Sequence, residues 1–161
     1  MLEIVTLGRE VLTRTAEPVK NIDDKIRSLA LDMLETMRIG KGIGLAAPQV
    51  DLGLRLFVTE VEDRPRVFIN PEILLTSQEQ ADLEEGCLSI PGVYAKLKRP
   101  AAVRIQAWNE RGRPFNLDAE GLEARVILHE LDHLNGVLFV DRLSDPARKR
   151  VLAQYERRIR M

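Results

Sequence analysis

The segment His129-Glu130-Leu131-Asp132-His133 constrains this chain more than any other. Its histidines are the only two in 161 residues, and they stand four apart. On an α-helix that spacing puts both imidazoles on one face, one turn apart, where a single metal ion can be held between them. Glu130 follows the first histidine, so a carboxylate would stand beside such an ion, placed to take a proton from water that the ion activates. The plainer reading is a pair of surface histidines on an amphipathic helix.

A hydrolytic ion needs three protein ligands and one open position. No third histidine exists, and Cys87, the only cysteine, is the one soft ligand available. A lone cysteine is usually a small buried hydrophobe. Here it sits in Glu84-Glu85-Gly86-Cys87-Leu88-Ser89-Ile90-Pro91-Gly92, with glycines on both sides and two acids before it. Cys87, His129 and His133 would supply one thiolate, two imidazoles and a vacancy for water, whose pKa falls from 15.7 toward roughly 7 on such an ion. A site of this kind hydrolyses a carbonyl compound. Glu130 would accept the proton and pass it to a leaving amine. Donors must face the oxyanion that forms, and the candidates are the side-chain amide of Gln49 and the backbone N–H of Leu88.

Composition narrows the alternatives. A chain of this length is most simply one domain over residues 1–161, long enough to bury a core. Its formal charge is −1, so no global field draws it to DNA or to a membrane surface. No apolar run approaches the roughly 20 residues that span a bilayer. The single cysteine permits no internal disulfide and points to a reducing cytoplasm. Met1-Leu2-Glu3-Ile4 has no basic region leading into an apolar stretch, so no secretory signal is expected.

Along the chain, Leu2 to Leu7 is a short apolar opening. The stretch Asn21-Ile22-Asp23-Asp24 offers N-caps for a helix over Lys25 to Arg38, whose apolar stripe is Ile26, Leu29, Ala30, Met33, Leu34 and Met37. Gly40 and Gly42 end it. In Gly42-Ile43-Gly44-Leu45-Ala46-Ala47-Pro48-Gln49, two glycines two apart let backbone approach a ligand, and Pro48 cannot sit inside a helix. The phosphate-loop patterns are absent. The segment reads as a tight turn into a strand, or as an extended edge against a peptide with Gln49 aimed into a site. Strands are predicted at Leu54 to Val61, Arg66 to Asn70, Glu72 to Leu75, Val93 to Leu97 and Ala101 to Trp108, with turns near Asp63-Arg64-Pro65 and at Asn109 to Gly112. Ser77 to Asp82 reads as a loop.

Asp118 or Glu120 starts the histidine helix, and Asn135-Gly136 stops it. Ser144 or Asp145 caps a last helix with Pro146 in its first turn. From Asp145 to Met161 that segment holds six basic and two acidic residues, which is either a solvated face or a docking surface.

Three of these stretches together resemble the signature motifs of the peptide deformylases: Gly42 to Gln49, Glu85-Gly86-Cys87-Leu88-Ser89, and His129 to His133, in that order and over nearly the whole chain. The resemblance implies an α+β fold, with antiparallel β-sheets surrounding a central helix that carries the histidines, an N-terminal helix and a C-terminal helix. It implies removal of the N-formyl group from the formyl-methionine of nascent polypeptides in a bacterial cytoplasm, releasing formate. It assigns the metal to Cys87, His129 and His133, acid–base work to Glu130, and the oxyanion to Gln49 and Leu88. Fe2+ is the implied native ion, with Zn2+, Ni2+ or Co2+ able to replace it.

By the same similarity, backbone at Ile43 and Gly44 pairs with the peptide, and the methionine side chain enters a pocket lined by Ile43, Leu83, Leu122, Arg125 and Val126, with Glu85 at the site and paired to Arg99 behind the cysteine loop. A formyl carbon carries only hydrogen, so a tight site rejects an acetyl methyl. The final helix and the short link before the first motif resemble the branch of Gram-negative bacteria and organelles, and some relatives are thought to dock that helix on the ribosome. Tyr94 departs from the longer polar or basic group that relatives often carry at the pocket rim.

Two other classes remain. A zinc peptidase of the H-E-x-x-H type would take its third ligand downstream, from Asp141 or Glu156, and leave the Cys87 motif unexplained. A non-catalytic metal-stabilised binding protein would have no use for Glu130.

Overall fold

Runs of alternating apolar residues build two antiparallel sheets. The computed structural model describes residues 2–160. Among the described residues seven strands are formed: β1 Gly44–Ala46, β2 Leu56–Val61, β3 Arg64–Thr76, β4 Gln80–Cys87, β5 Ile90–Pro100, β6 Ala102–Trp108 and β7 Pro114–Glu120. The helices are α1 Asp24–Ile39, α2 Gly121–Leu134 and α3 Asp145–Ile159. One sheet has five strands in the order β1-β2-β3-β6-β7, and β4 pairs with β5 in a separate two-stranded sheet. The histidine helix α2 packs against β1, β2, β6 and β7 of the first sheet and against β5 of the second. It is the element the two sheets share, which is the α+β arrangement expected.

The helices follow their sequence signals. The Asp23 side chain accepts from the Ile26 N–H at 3.0 Å and caps α1. Ala30, Met33, Leu34 and Met37 on its inner face join Leu45, Leu56, Val58 and Ile69 in one apolar cluster. A second cluster, with Phe57 stacked on Phe68 at 4.6 Å, lies between the large sheet and α2. A third holds α3 on β5 through Val151, Tyr155, Val93 and Leu97. Gly40 stays right-handed at φ −76°, and the left-handed residue that ends α1 is Lys41, at φ 60°.

Three segments differ from expectation. Arg66 to Asn70 and Glu72 to Leu75 are one strand, β3, continuous through Pro71. Its register against β6 shifts between Ile69 and Glu72, a bulge that spares the proline from a ladder bond it cannot donate. The loop expected over Ser77 to Asp82 is confined to its first residues, because β4 already begins at Gln80. The outer face of β4 is polar, which hides its strand period, yet Asp82 stands opposite Lys98 and Glu84 opposite Lys96. Such opposite-charge pairs stabilise an antiparallel ladder. Lastly, the Leu2–Leu7 opening laces two motifs together: Val5 N–H donates to Gln49 C=O and Leu7 N–H to Ser89 C=O, both at 2.8 Å.

Asn70 sits in the β3 bulge at φ 50°. Its Oδ1 accepts from the Val19 N–H at 2.8 Å and its Nδ2 donates to the Val19 carbonyl at 2.9 Å. Asn70→Ala removes both bonds and strains a left-handed position, so it should destabilise the fold by about 2 kcal/mol. Asn70→Gly relieves the strain and should lose roughly 1 kcal/mol less. Urea midpoints of the two variants check this order.

Candidate active site

The first turn of α2 is capped by backbone alone, and its inner face then presents Arg125, His129 and His133 at i, i+4 and i+8, all buried. The imidazole centroids of His129 and His133 are 5.1 Å apart. Cys87 comes from the other sheet. It ends β4, where the register against β5 breaks between Glu85 and Cys87, and the pair Leu88-Ser89 turns the chain into β5. A bulge of this kind re-aims the side chain that follows it. Here it carries Cys87 Sγ to 3.4 Å from His133 Nε2. One donor atom each from Cys87, His129 and His133 lies within 4.8 Å of the others, the one such group of ligating side chains among the described residues.

These residues fit a metal ion. Bond lengths of roughly 2.3 Å to sulfur and 2.0 Å to nitrogen, set tetrahedrally, separate such donors by about 3.5 Å. His129 has Nε2 to offer, because its Nδ1 is held by Glu85 Oε1 at 2.8 Å. That bond also fixes the ring, as a carboxylate behind a ligating histidine does. Asp141, the downstream ligand a peptidase of this motif would need, instead accepts from the Leu138 N–H and faces Arg148.

Glu130 is buried beside this group, with Oε2 3.9 Å from His129 Nε2 and Oε1 lacking any hydrogen-bond partner. It rests on Gly44: a Cβ there would lie 2.5 Å from Glu130 Oε2 and 2.8 Å from Val126 Cγ1. The second glycine of the first motif is therefore the space the carboxylate occupies. Gly42 plays the same part for Leu88, whose Cδ1 would be 2.7 Å from an added Cβ. The Gln49 Oε1 accepts from the Ala46 N–H, which turns its Nε2 toward Cys87 Sγ at 3.5 Å and Ser89 Oγ at 3.2 Å.

A cleft of about 550 Å³ opens over these groups, lined by Ile43, Gly44, Gln49, Leu88, Leu122, Val126 and Glu130 among others. Ile43 and Leu122 are half-exposed at its mouth, and Tyr94 forms the rim over Gly86. Leu83, expected in the pocket, does not line it: it stands on β4 opposite Leu97 and is 39% exposed. Arg125 and Glu85 border the cleft, but their charged ends are turned away into the protein. Glu85 takes Arg99 at 2.6 and 3.0 Å and Arg125 at 2.7 Å. Arg99 also reaches Asp132 at 2.8 Å, and Arg142 grips both oxygens of Asp132. Ser89 and Asp132 stand in the sequence reading only as members of its motifs, with no role, and Arg142 does not figure in it. The i+3 step from His129 to Asp132 was the available signal for one of them, since it places that acid on nearly the same helix face.

The electrostatics follow from burial. Burial raises the Glu130 carboxyl to about 7 despite the nearby His129. Burial lowers His133 well below its usual range, helped by the positive charge of His129 and Arg99. In His129 burial is outweighed by Glu130, Cys87 and Glu85, so it is raised. In Glu85 burial is overcome by hydrogen bonds from His129 and Arg99, and its carboxyl is held well below the usual range.

Two antiparallel sheets clasp one helix and bring a thiol, two imidazoles and a buried carboxyl to one open cleft, a set of groups suited to metal-assisted hydrolysis. Residues 1–149 match the model of the polypeptide deformylase family, and the chain belongs to that family. A peptide deformylase from Treponema pallidum (strain Nichols) is 46% identical over 154 residues, covering 96% of this chain and 95% of the relative. A crystal structure of a peptide deformylase from Legionella pneumophila superposes with a TM-score of 0.95 at 38% identity, covering 99% of this chain and 96% of that one. Another, from Synechococcus elongatus in complex with actinonin, gives 0.91 at 45% identity, with 95% and 86% covered. The chain is thus a hydrolase that acts on the formyl-methionine amide of nascent peptides.

Glu85 couples the site to acid stability. Its folded pKa lies below the ordinary 4.5, so its contribution is complete above about pH 4.5 and is lost as the pH falls below that. Glu85→Gln should cost about 3–5 kcal/mol at neutral pH, because Arg125 loses its counter-charge and Arg99 one of its two. It should also flatten the decline of stability between about pH 4.5 and about pH 3. Urea midpoints across that range, for both proteins, read the two effects.

Proposed function

We propose that the chain removes the formyl group with one divalent metal ion held by Cys87 Sγ, His129 Nε2 and His133 Nε2, and with Glu130 moving the proton. The observation that carries this reading is the meeting of those three donors with a buried, unpartnered carboxylate oxygen. The ion supplies Lewis acidity, lowering the pKa of water toward neutrality and polarising the formyl carbonyl. Every other task falls to the chain. Glu130, raised to about 7, can both accept a proton from water and return it to the leaving amine. Gln49 and Leu88 both line the cleft, which supports the Gln49 Nε2 and the Leu88 N–H as donors to the developing oxyanion. The edge strand β1 pairs with one neighbour only, so Ile43 and Gly44 can add the substrate as an extra strand.

Ile43, Leu122, Val126 and the stem of Arg125 then form the apolar walls for methionine. Glu85 and Arg99 act behind the site rather than on substrate. The single-domain organisation, a bacterial cytoplasmic setting, and docking of the basic face of α3 on the ribosome belong to the same proposal. No helix among the described residues is long and apolar enough to cross a membrane.

Formate release from a formyl-methionyl peptide, measured anaerobically with metal content on the same sample, tests the reading. Glu130→Gln should keep its ion and lose roughly 10³-fold in kcat, whereas Cys87→Ser should lose the ion. Retained turnover in Glu130→Gln, or a Cys87→Ser protein with full metal and activity, would sink it.

Fe2+ is proposed as the native ion. It binds more weakly than Co2+, Ni2+ or Zn2+, and thiolate beside it is open to oxidation. Activity of the Fe2+ form should decay in air while Ni2+ or Co2+ forms persist. Equal decay of all three would argue against Fe2+ chemistry as the weak point.

A further inference from the structure

We propose that Arg125 is a positioning residue for the metal site: through Glu85 it fixes the His129 ring, and through two carbonyls it holds the cysteine hairpin at its distance from the histidine helix. This rests on the reading of Cys87, His129 and His133 as metal ligands.

Arg125 is 4% exposed, and nothing in its position suggests a solvated cation. It lies one turn before His129 on the same face of α2. Its Nη1 donates to Glu85 Oε2 at 2.7 Å and to the Leu97 carbonyl at 2.9 Å, and its Nη2 donates to the Ala81 carbonyl at 2.7 Å. Ala81 belongs to β4 and Leu97 to β5. One guanidinium therefore bonds both strands of the hairpin that ends in Cys87, while its backbone belongs to the helix that carries both imidazoles. Only its stem borders the cleft.

The same guanidinium completes a carboxylate. Glu85 Oε1 is shared by His129 Nδ1 and Arg99 Nη2, and Oε2 by Arg99 Nε and Arg125 Nη1. Without Arg125, one oxygen loses a donor and Glu85 is free to turn about the Arg99 fork, carrying His129 with it. Arginine is required by the geometry: three acceptors lie in different directions around one planar head, and the single ammonium of a lysine cannot span them.

The role separates from plain structural support by what it moves. A brace that only stabilised the fold would lower the unfolding midpoint and leave ion release from the folded protein unchanged. A positioning residue alters release itself, and second-layer partners of ligating histidines change affinity by roughly 10–100-fold.

The test compares wild type, Arg125→Lys and Arg125→Met, each loaded with Co2+. Release to excess chelator is followed by the visible absorption of the bound ion, and kcat and KM are measured on a formyl-methionyl peptide. Arg125→Met should release Co2+ roughly 10–100-fold faster and shift the ligand-field bands, with Arg125→Lys intermediate and kcat reduced more than KM is raised. Release rates and bands identical to wild type in either folded variant would overturn the proposal. Should Arg125→Met not fold, Arg125→Lys decides on the same criteria. Failure of the underlying reading looks different: wild type itself would bind no ion, or would show no thiolate-to-cobalt charge-transfer band.

Discussion

The carboxylate of Glu85 is the junction on which the site geometry depends. It belongs to β4, accepts a fork from Arg99 on β5, and takes Arg125 and His129 from α2. Apolar contacts hold these elements together but tolerate small slides and rotations, since a methyl group fits many neighbours. Charge-assisted bonds at 2.6–3.0 Å do not. Cys87 arrives on β4 and both histidines on α2, so a displacement of about 1 Å between those two elements would spoil the convergence of the candidate ligands. Glu85 removes that freedom. It also sets the tautomer of His129, since an ionised carboxylate can only accept.

Much of this was legible in the residue order, for reasons that are local. The histidine spacing, the apolar stripe of α1 and the Asn135-Gly136 stop are properties of short windows, and the structure forms a helix or a stop at each. Cys87 could be paired with the histidines by elimination, because no other soft ligand existed. What stayed hidden depends on distant partners. The need for glycine at position 44 is set by Glu130, and at position 42 by Leu88, far along the chain. Asp132 looks like an ordinary helix residue until Arg99 and Arg142 close on it. Leu83 was placed in the pocket by likeness to a motif; it shares the inner face of β4 with Glu85, opposite Leu97, yet it stands 39% exposed and outside the residues that line the cleft. The polar outer face of β4 masked a strand for the same reason: periodicity in hydrophobicity fails where both exposed and paired residues are charged.

The two glycines of the first motif tie its backbone to the rest of the site. Gly44 leaves beside β1 the space that the Glu130 carboxylate fills. A side chain there would push that carboxylate away from the strand. Leu88 fills the space over Gly42 in the same way, which couples the turn bearing the Leu88 N–H to the start of β1. Chain segments far apart in sequence are thus set against one another by absent side chains as much as by present ones.

A cluster of buried charge is a poor way to gain stability. Taking Glu85, Asp132, Arg99 and Arg125 out of water costs several kcal/mol per ion, and apolar residues of equal volume would often hold a fold as well or better. The cluster returns something apolar packing cannot supply, which is direction. Each bond in the run from His129 through Glu85 and Arg99 to Asp132 has a fixed donor and a fixed acceptor, so the imidazole faces one way only. The run ends at Arg142, whose side chain is 51% exposed. Its charge is therefore solvated at one end, and only the inner members bear the full cost of burial. Removing an inner member leaves its partners charged and buried with one counter-charge fewer, a larger loss than the pair's net contribution to folding. The network therefore couples its members. It makes the orientation of His129 depend on residues from β4, β5 and the turn after α2 together, rather than on the packing around its own ring.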